Sequence, residues 1–139
     1  MQPHAATALK KTYDETLALM IEARNYLAYK APRDGARLPA EIGLKASCEA
    51  FRVTSRLTQV MAWLMAQRAV HTGEMALEEA CSDRYRLSGR SVCLDDSAAD
   101  DDALPRGLLS LLDRSLRLYE RIARLDEMTA QRSQLHRLN

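Results

Sequence analysis

Side chains able to do chemistry are few and scattered in this sequence. The histidines are His4, His71 and His136, and the cysteines are Cys48, Cys81 and Cys93. No Glu-x-x-His pair is present to build a carboxylate metal site inside a helix bundle, and no C-x-x-C to build a zinc site. The separations of His71, Cys81 and Cys93 fit no zinc pattern either. A cysteine nucleophile needs a base within hydrogen-bond reach. His71 follows Cys48 by 23 residues in what reads as one helix, roughly six turns away. The five glycines, 35, 43, 73, 89 and 107, are isolated, so no phosphate-cradling loop is formed. The sequence therefore offers no catalytic residue, no metal ligand set and no cofactor motif.

Arginine is the one chemically useful residue with a pattern. Arg114, Arg117, Arg121 and Arg124 recur at steps of three, four and three, which places them on one helix face. Asp113 precedes Arg117, and Glu120 precedes Arg124, by four residues. Such pairs are worth about 0.3–0.5 kcal/mol each, so a solvated face laced by local pairs is one reading. A docking surface for an acidic or phosphate-bearing partner is the second, and DNA the third. Arg52 and Arg56 lie one turn apart on a stripe leading to Trp63. They read equally as surface charges or as interface residues able to pair and stack. The opposite charge is concentrated in LDDSAADDD, residues 94–102, with Asp95, Asp96, Asp100, Asp101 and Asp102. Against a net charge of +1, these five leave the remaining chain at +6. That loop is a solvated linker or a mobile acidic segment that docks on a basic partner or on the arginine stripe.

These residues must be positioned by helices. The chain has 139 residues, 47% hydrophobic and 28% charged, which is one globular domain. Little Val/Ile alternation is present to support strands. Leu9, Tyr13, Leu17, Met20, Ala23 and Leu27 recur at helical steps and predict a helix over about 7–29, ended by Ala31-Pro32 and Asp34-Gly35. A second helix runs from about 38 to 71, with Pro39 in its first turn, and a short one over about 74–85. The acidic loop spans 88–102. A third long helix covers about 104–128, with Asp101 or Asp102 available to cap it, and residues 129–139 form a polar, frayed tail. The predicted fold is all-α: an antiparallel three-helix bundle with one long central helix, in a single domain over residues 1–128.

The central helix breaks the one-stripe rule for amphipathic helices. In TQVMAWLMAQRAV, residues 58–70, seven apolar residues run from Val60 to Ala66. A membrane span needs roughly 20, and Gln59 and Gln67 bracket this run. Ala50, Val53, Leu57, Val60, Met61 and Leu64 make its broad apolar side. A second stripe reads Lys45, Glu49, Arg52, Arg56, Gln59, Trp63 and Gln67. Trp63 on a polar stripe points to a second buried surface, most simply a contact with a second copy, since Trp, Met and Arg are enriched in interfaces. The candidate dimer interface is Arg56, Gln59, Val60, Met61, Trp63, Leu64 and Gln67.

The stretch CEAFRVTSRLTQVMAWLMAQRAVHTGEM, residues 48–75, resembles the RcdA family, alphaproteobacterial regulators of CtrA degradation. YDETLALMIEARNYL and LPRGLLSLLDRSLRLYERIARLDEM are similar to that family's first and third helices in order and spacing. The resemblance runs from about Leu9 to Met128. It departs from the family in KAPRDGARLPAEIG and in the acidic loop, where partner contacts rather than the fold would differ. The resemblance implies a helical homodimer that works as an adaptor for the ClpX/ClpP protease in cell-cycle control. It further implies CpdR-like and PopA-like accessory adaptors, the latter a cyclic-di-GMP receptor, and cargo regulators such as CtrA.

The function expected is thus a non-enzymatic adaptor that tethers cargo to ClpXP. Its partner-binding candidates are Arg52, Arg114, Arg117, Arg121 and Arg124. The N-terminus carries no apolar segment with a cleavage site, and an odd cysteine count fits a reducing compartment. A cytoplasmic protein recruited to a cell pole is expected, with no membrane partner. The rival readings are a small DNA-associated regulator using the Arg114–Arg124 face, and an enzyme with a cleft between helices.

Overall fold

A computed structural model describes residues 3–139; the first two residues of the expected domain lie outside the described ones. Three long helices and three short ones make up the described chain, with no strand among them. Helix α1 is Pro3–Asn25, α2 Ala31–Ala36, α3 Ala40–His71, α4 Leu77–Ala80, α5 Arg90–Cys93 and α6 Arg106–Leu138.

α1 does not end at the Ala31-Pro32 breaker. A π-helical turn, Tyr26–Lys30, carries it into α2, and the N–H of Ala31 reaches back to Tyr26 O. Pro32 has no N–H to donate to the preceding turn, and widening that turn to i→i+5 lets the chain continue helically. The buried face of α1 is rotated from the expected one. Thr16, Leu19, Ala23 and Tyr26 are buried, whereas Leu17 and Leu27 are exposed. The Thr16 hydroxyl donates to Thr12 O at 2.8 Å, so its burial leaves no polar group unsatisfied.

α3 is the central helix and packs against α1, α4, α5 and α6. Its 32 residues span about 48 Å at 1.5 Å per residue. Val53, Leu57, Val60 and Leu64 join Leu19 and Ala23 of α1, Tyr26 of the π-helical turn, and Leu108, Leu111, Leu112, Leu118, Tyr119 and Ile122 of α6 in one core.

Contacts fix the helix directions. Ion pairs Glu22–Arg114 and Glu15–Arg121 run in opposite senses, so α1 and α6 are antiparallel. Between α3 and α6 the numbering rises together, from Arg56 with Leu112 and Ser115 to Trp63 with Asp126. That pair is parallel. It can be so because residues 72–105 form a strap that returns along the whole bundle before α6 begins. A parallel pair requires such a long crossover, whereas a short loop yields antiparallel neighbours.

Two further expectations are corrected. α6 continues to Leu138 instead of fraying after Met128, because its last turns are still packed. Ser133 is buried, and Thr129 O accepts the Cys81 thiol at 3.7 Å. Neither Asp101 nor Asp102 caps α6. The N-cap is Pro105, without a side-chain bond, and the Asp101 carboxylate accepts the Ala103 N–H instead.

Candidate functional site

The strap lies on the stripe of α3 that carries arginine, glutamine and tryptophan, and that chemistry follows from its backbone. An irregular segment supplies few hydrogen bonds to itself, so its carbonyls need donors from elsewhere. Arg56 provides four bonds. Its Nε donates to Cys93 O (2.7 Å), Nη2 to Asp95 O (2.8 Å), and Nη1 to Leu112 O (2.9 Å) and Ser115 Oγ (3.2 Å). Only 1% of Arg56 is exposed. Burial, and then the neighbouring Arg52, lower its pKa from the ordinary guanidinium value. Arg52 donates to Val92 O and to Glu49 Oε2 (2.9 Å), and stands 3.9 Å from the Asp95 carboxylate.

Higher on the stripe, Trp63 Nε1 donates to Asp126 Oδ1 at 3.0 Å. Asp126 is 2% exposed and also accepts Arg86 Nε at 2.9 Å. Arg86 and Arg90 of the strap both reach Glu127, at 2.9 and 3.0 Å. Ser88 donates to Gln59 Oε1 at 2.8 Å, and the Tyr119 hydroxyl donates to Ser88 O at 2.7 Å. Burial pushes the Tyr119 phenol up to about 12 and raises the Cys93 thiol. Among the described residues no buried side-chain nitrogen or oxygen lacks a partner.

The candidate dimer interface is therefore used inside one chain. Arg56, Val60, Trp63, Leu64 and Gln67 are buried, and Gln59 and Met61 are half-buried. A side chain already covered cannot also meet a second copy. The stripe is a second buried surface, as its composition implies, but its occupant is the chain's own crossover.

The acidic loop is not free either. Cys93, Ala98 and Leu104 are buried beneath it, and Asp101 pairs with Lys45. Lys45 and the Ala103 N–H hold the Asp101 carboxyl below its ordinary value. Asp95 accepts the Ser97 N–H at 2.9 Å, and the Ser97 bonds lower its pKa. Asp96, Asp100 and Asp102 point to solvent.

The arginine stripe of α6 is divided. Arg114 grips Glu22 with both terminal nitrogens (2.7 and 2.5 Å), and Arg121 meets Glu15 at 2.8 Å. The Arg114 guanidinium holds the Glu22 carboxyl low. Arg117 pairs locally with Asp113 at 3.2 Å. Arg124 is exposed and forms no ion pair among the described residues.

One surface escapes the stripes singled out above. The outer face of α3 exposes Leu44 (69%), Phe51 (73%) and Met65 (58%), seven and fourteen residues apart. Ser47, Cys48, Thr54, Thr58 and Ala62 fill the same exposed side. The charged side chains between Lys45 and Arg68 all turn inward to the strap. The result is a charge-free strip about 30 Å long. The seven-residue spacing of Leu44, Phe51, Thr58 and Met65 is the sequence signal that marked it.

Among the described residues no three His, Cys, Asp or Glu side chains are grouped to hold a metal ion. No described helix is long and apolar enough to cross a membrane. A three-helix scaffold closed by a strap, with one open apolar face, is the class of protein this geometry defines. Over residues 1–138 the chain matches the family described as "Protein of unknown function (DUF1465)". It is also similar to the crystal structure of RcdA from Caulobacter crescentus CB15, at 36% identity and a TM-score of 0.70, covering 87% of this chain and 89% of that one. This chain belongs to that family, the family of RcdA. No functionally curated protein matches it.

Proposed function

We propose that this protein is a non-enzymatic cytoplasmic adaptor that tethers regulatory cargo to the ClpX/ClpP protease for cell-cycle-dependent degradation. Membership in the RcdA family supports this reading, together with a fold whose buried polar groups serve packing and whose open surface is apolar. The partners proposed are a second copy of the chain, ClpX, CpdR-like and PopA-like accessory adaptors and cargo such as CtrA. The single observation that carries a binding role is the charge-free outer face of α3.

Self-association is assigned to that face in place of the covered stripe. Thr54, Ser55 and Thr58 at its middle are small enough for two helices to cross closely, and Leu44 and Met65 lie at either end. A two-fold axis sets a surface against itself, so a strip without charge brings no like charges together. Of the candidate arginines on α6, Arg124 has no ion pair among the described residues and Arg117 only its local, exposed one with Asp113, so these two are the ones proposed to meet an acidic partner.

The test is affinity capture from nuclease-treated lysate of the source organism. Recovery of ClpX with the accessory adaptors supports the adaptor. Binding that appears only when nucleic acid is intact, and falls steeply between about 50 and 200 mM salt, would replace it with a DNA-associated regulator.

A further inference from the structure

At the end of the bundle away from the α1–α2 turn, residues 6–14 of α1 and residues 64–72 at the end of α3 face a common space. That space is a cavity of about 340 Å³, with Ala6 among its lining residues. Ligand pockets begin near 300 Å³, so the space suits a single side chain or a short acyl group. Its floor is apolar: Leu9, the Tyr13 ring and Leu64, the last only 1% exposed. Lys10, Asp14, Arg68 and His71 stand on its walls.

The charges there do not cancel. Lys10 and Asp14 neutralise each other at 3.0 Å. Arg68 forms no ion pair among the described residues; its guanidinium carbon lies 5.8 Å from the centroid of the Tyr13 ring. At that distance the cation lies within reach of the ring's π face, and the guanidinium N–H groups can still meet a planar acceptor. The carbonyl end of α3 nearby is offset by the amino end of α1 at the same place.

We propose that this cavity binds an apolar group bearing a carboxylate, with the apolar part on Leu9, Tyr13 and Leu64 and the carboxylate on Arg68. Two sources share that chemistry, a peptide ending in an apolar residue and a free short-chain carboxylate. The site is separate from the outer face of α3 and does not depend on the adaptor reading.

The experiment is an amide NMR titration of the full chain with four probes: octanoate, octanol, and a pentapeptide ending in leucine as its free acid and as its amide. Expected are shifts confined to residues 6–14 and 64–72 for the acid forms, with octanol and the amide at least roughly tenfold weaker. Arg68→Gln should lose about tenfold in affinity with an unchanged urea midpoint, and Arg68→Lys should retain part of it. Octanoate alone binding identifies a free carboxylate; the peptide acid alone binding identifies a chain terminus. Absence of shifts at about 5 mM, shifts elsewhere, or equal binding of acid and uncharged forms would overturn the proposal.

Discussion

Arg56 is the residue on which the strap depends. Its guanidinium holds carbonyls from the strap and from α6 at once, so its loss takes the donor from the Cys93 and Asp95 carbonyls of the strap. Arg56→Met should cost about 3–5 kcal/mol in urea unfolding. Arg117→Ala, an exposed local pair, should change stability by less than about 0.5 kcal/mol. Trp63→Phe keeps most of the ring but removes the N–H that Asp126 accepts, and a cost of about 1–3 kcal/mol is expected in the same assay. Tyr26 and Tyr119 supply a pH dependence. Burial, helped by Asp34 beside Tyr26, raises both phenols to about 12, above the free value of about 10. Their folded pKa is raised, so the stability they contribute is complete below about pH 10 and is lost as pH climbs towards 12. Ultraviolet titration should show two late phenols, and ionisation of every tyrosine together near 10 would contradict their burial. Arg56 and Trp63 were recognisable in the sequence as interface-type residues. Asp126 and Arg86 were not, because a buried acid looks like any surface acid until its partners, 40 or more residues away, are known.

At the scale of elements, the three long helices follow from apolar spacing, and their existence was legible throughout. What periodicity could not supply was the path of residues 72–105. Its order comes from side chains of α3 and α6, not from any pattern of its own, so a polar, acidic composition read as a solvated loop. The same omission made α3 and α6 look antiparallel and left the second stripe of α3 in need of a twin chain. Close approach of the π-helical turn and α6 gives a direct check. A Cβ at Gly107 would lie 2.7 Å from Tyr26 Cε2. Gly107→Ala must push that ring aside, despite the higher helix propensity of alanine. Calorimetry should show a net loss of about 1–3 kcal/mol; a gain would mean that the two helices are farther apart than described.

For the molecule as a whole, every stripe of α3 but one is occupied: by α1, by α6 and by the strap. The remaining face, from Leu44 to Met65, is the surface proposed for partner contacts. Phe51→Asp with Met65→Asp places charge on that strip without touching the core. Sedimentation equilibrium should then show a monomer with an unchanged far-ultraviolet spectrum, while the unaltered chain self-associates. The measurement that bears most directly on the account is reconstituted proteolysis, with purified ClpX, ClpP, a CpdR-like factor and a CtrA-type cargo. Cargo should disappear faster when this chain is added, the chain itself should survive, and the Phe51→Asp, Met65→Asp variant should alter that stimulation. A degradation rate unchanged by the chain, with every other component active on a direct substrate, would contradict the adaptor function.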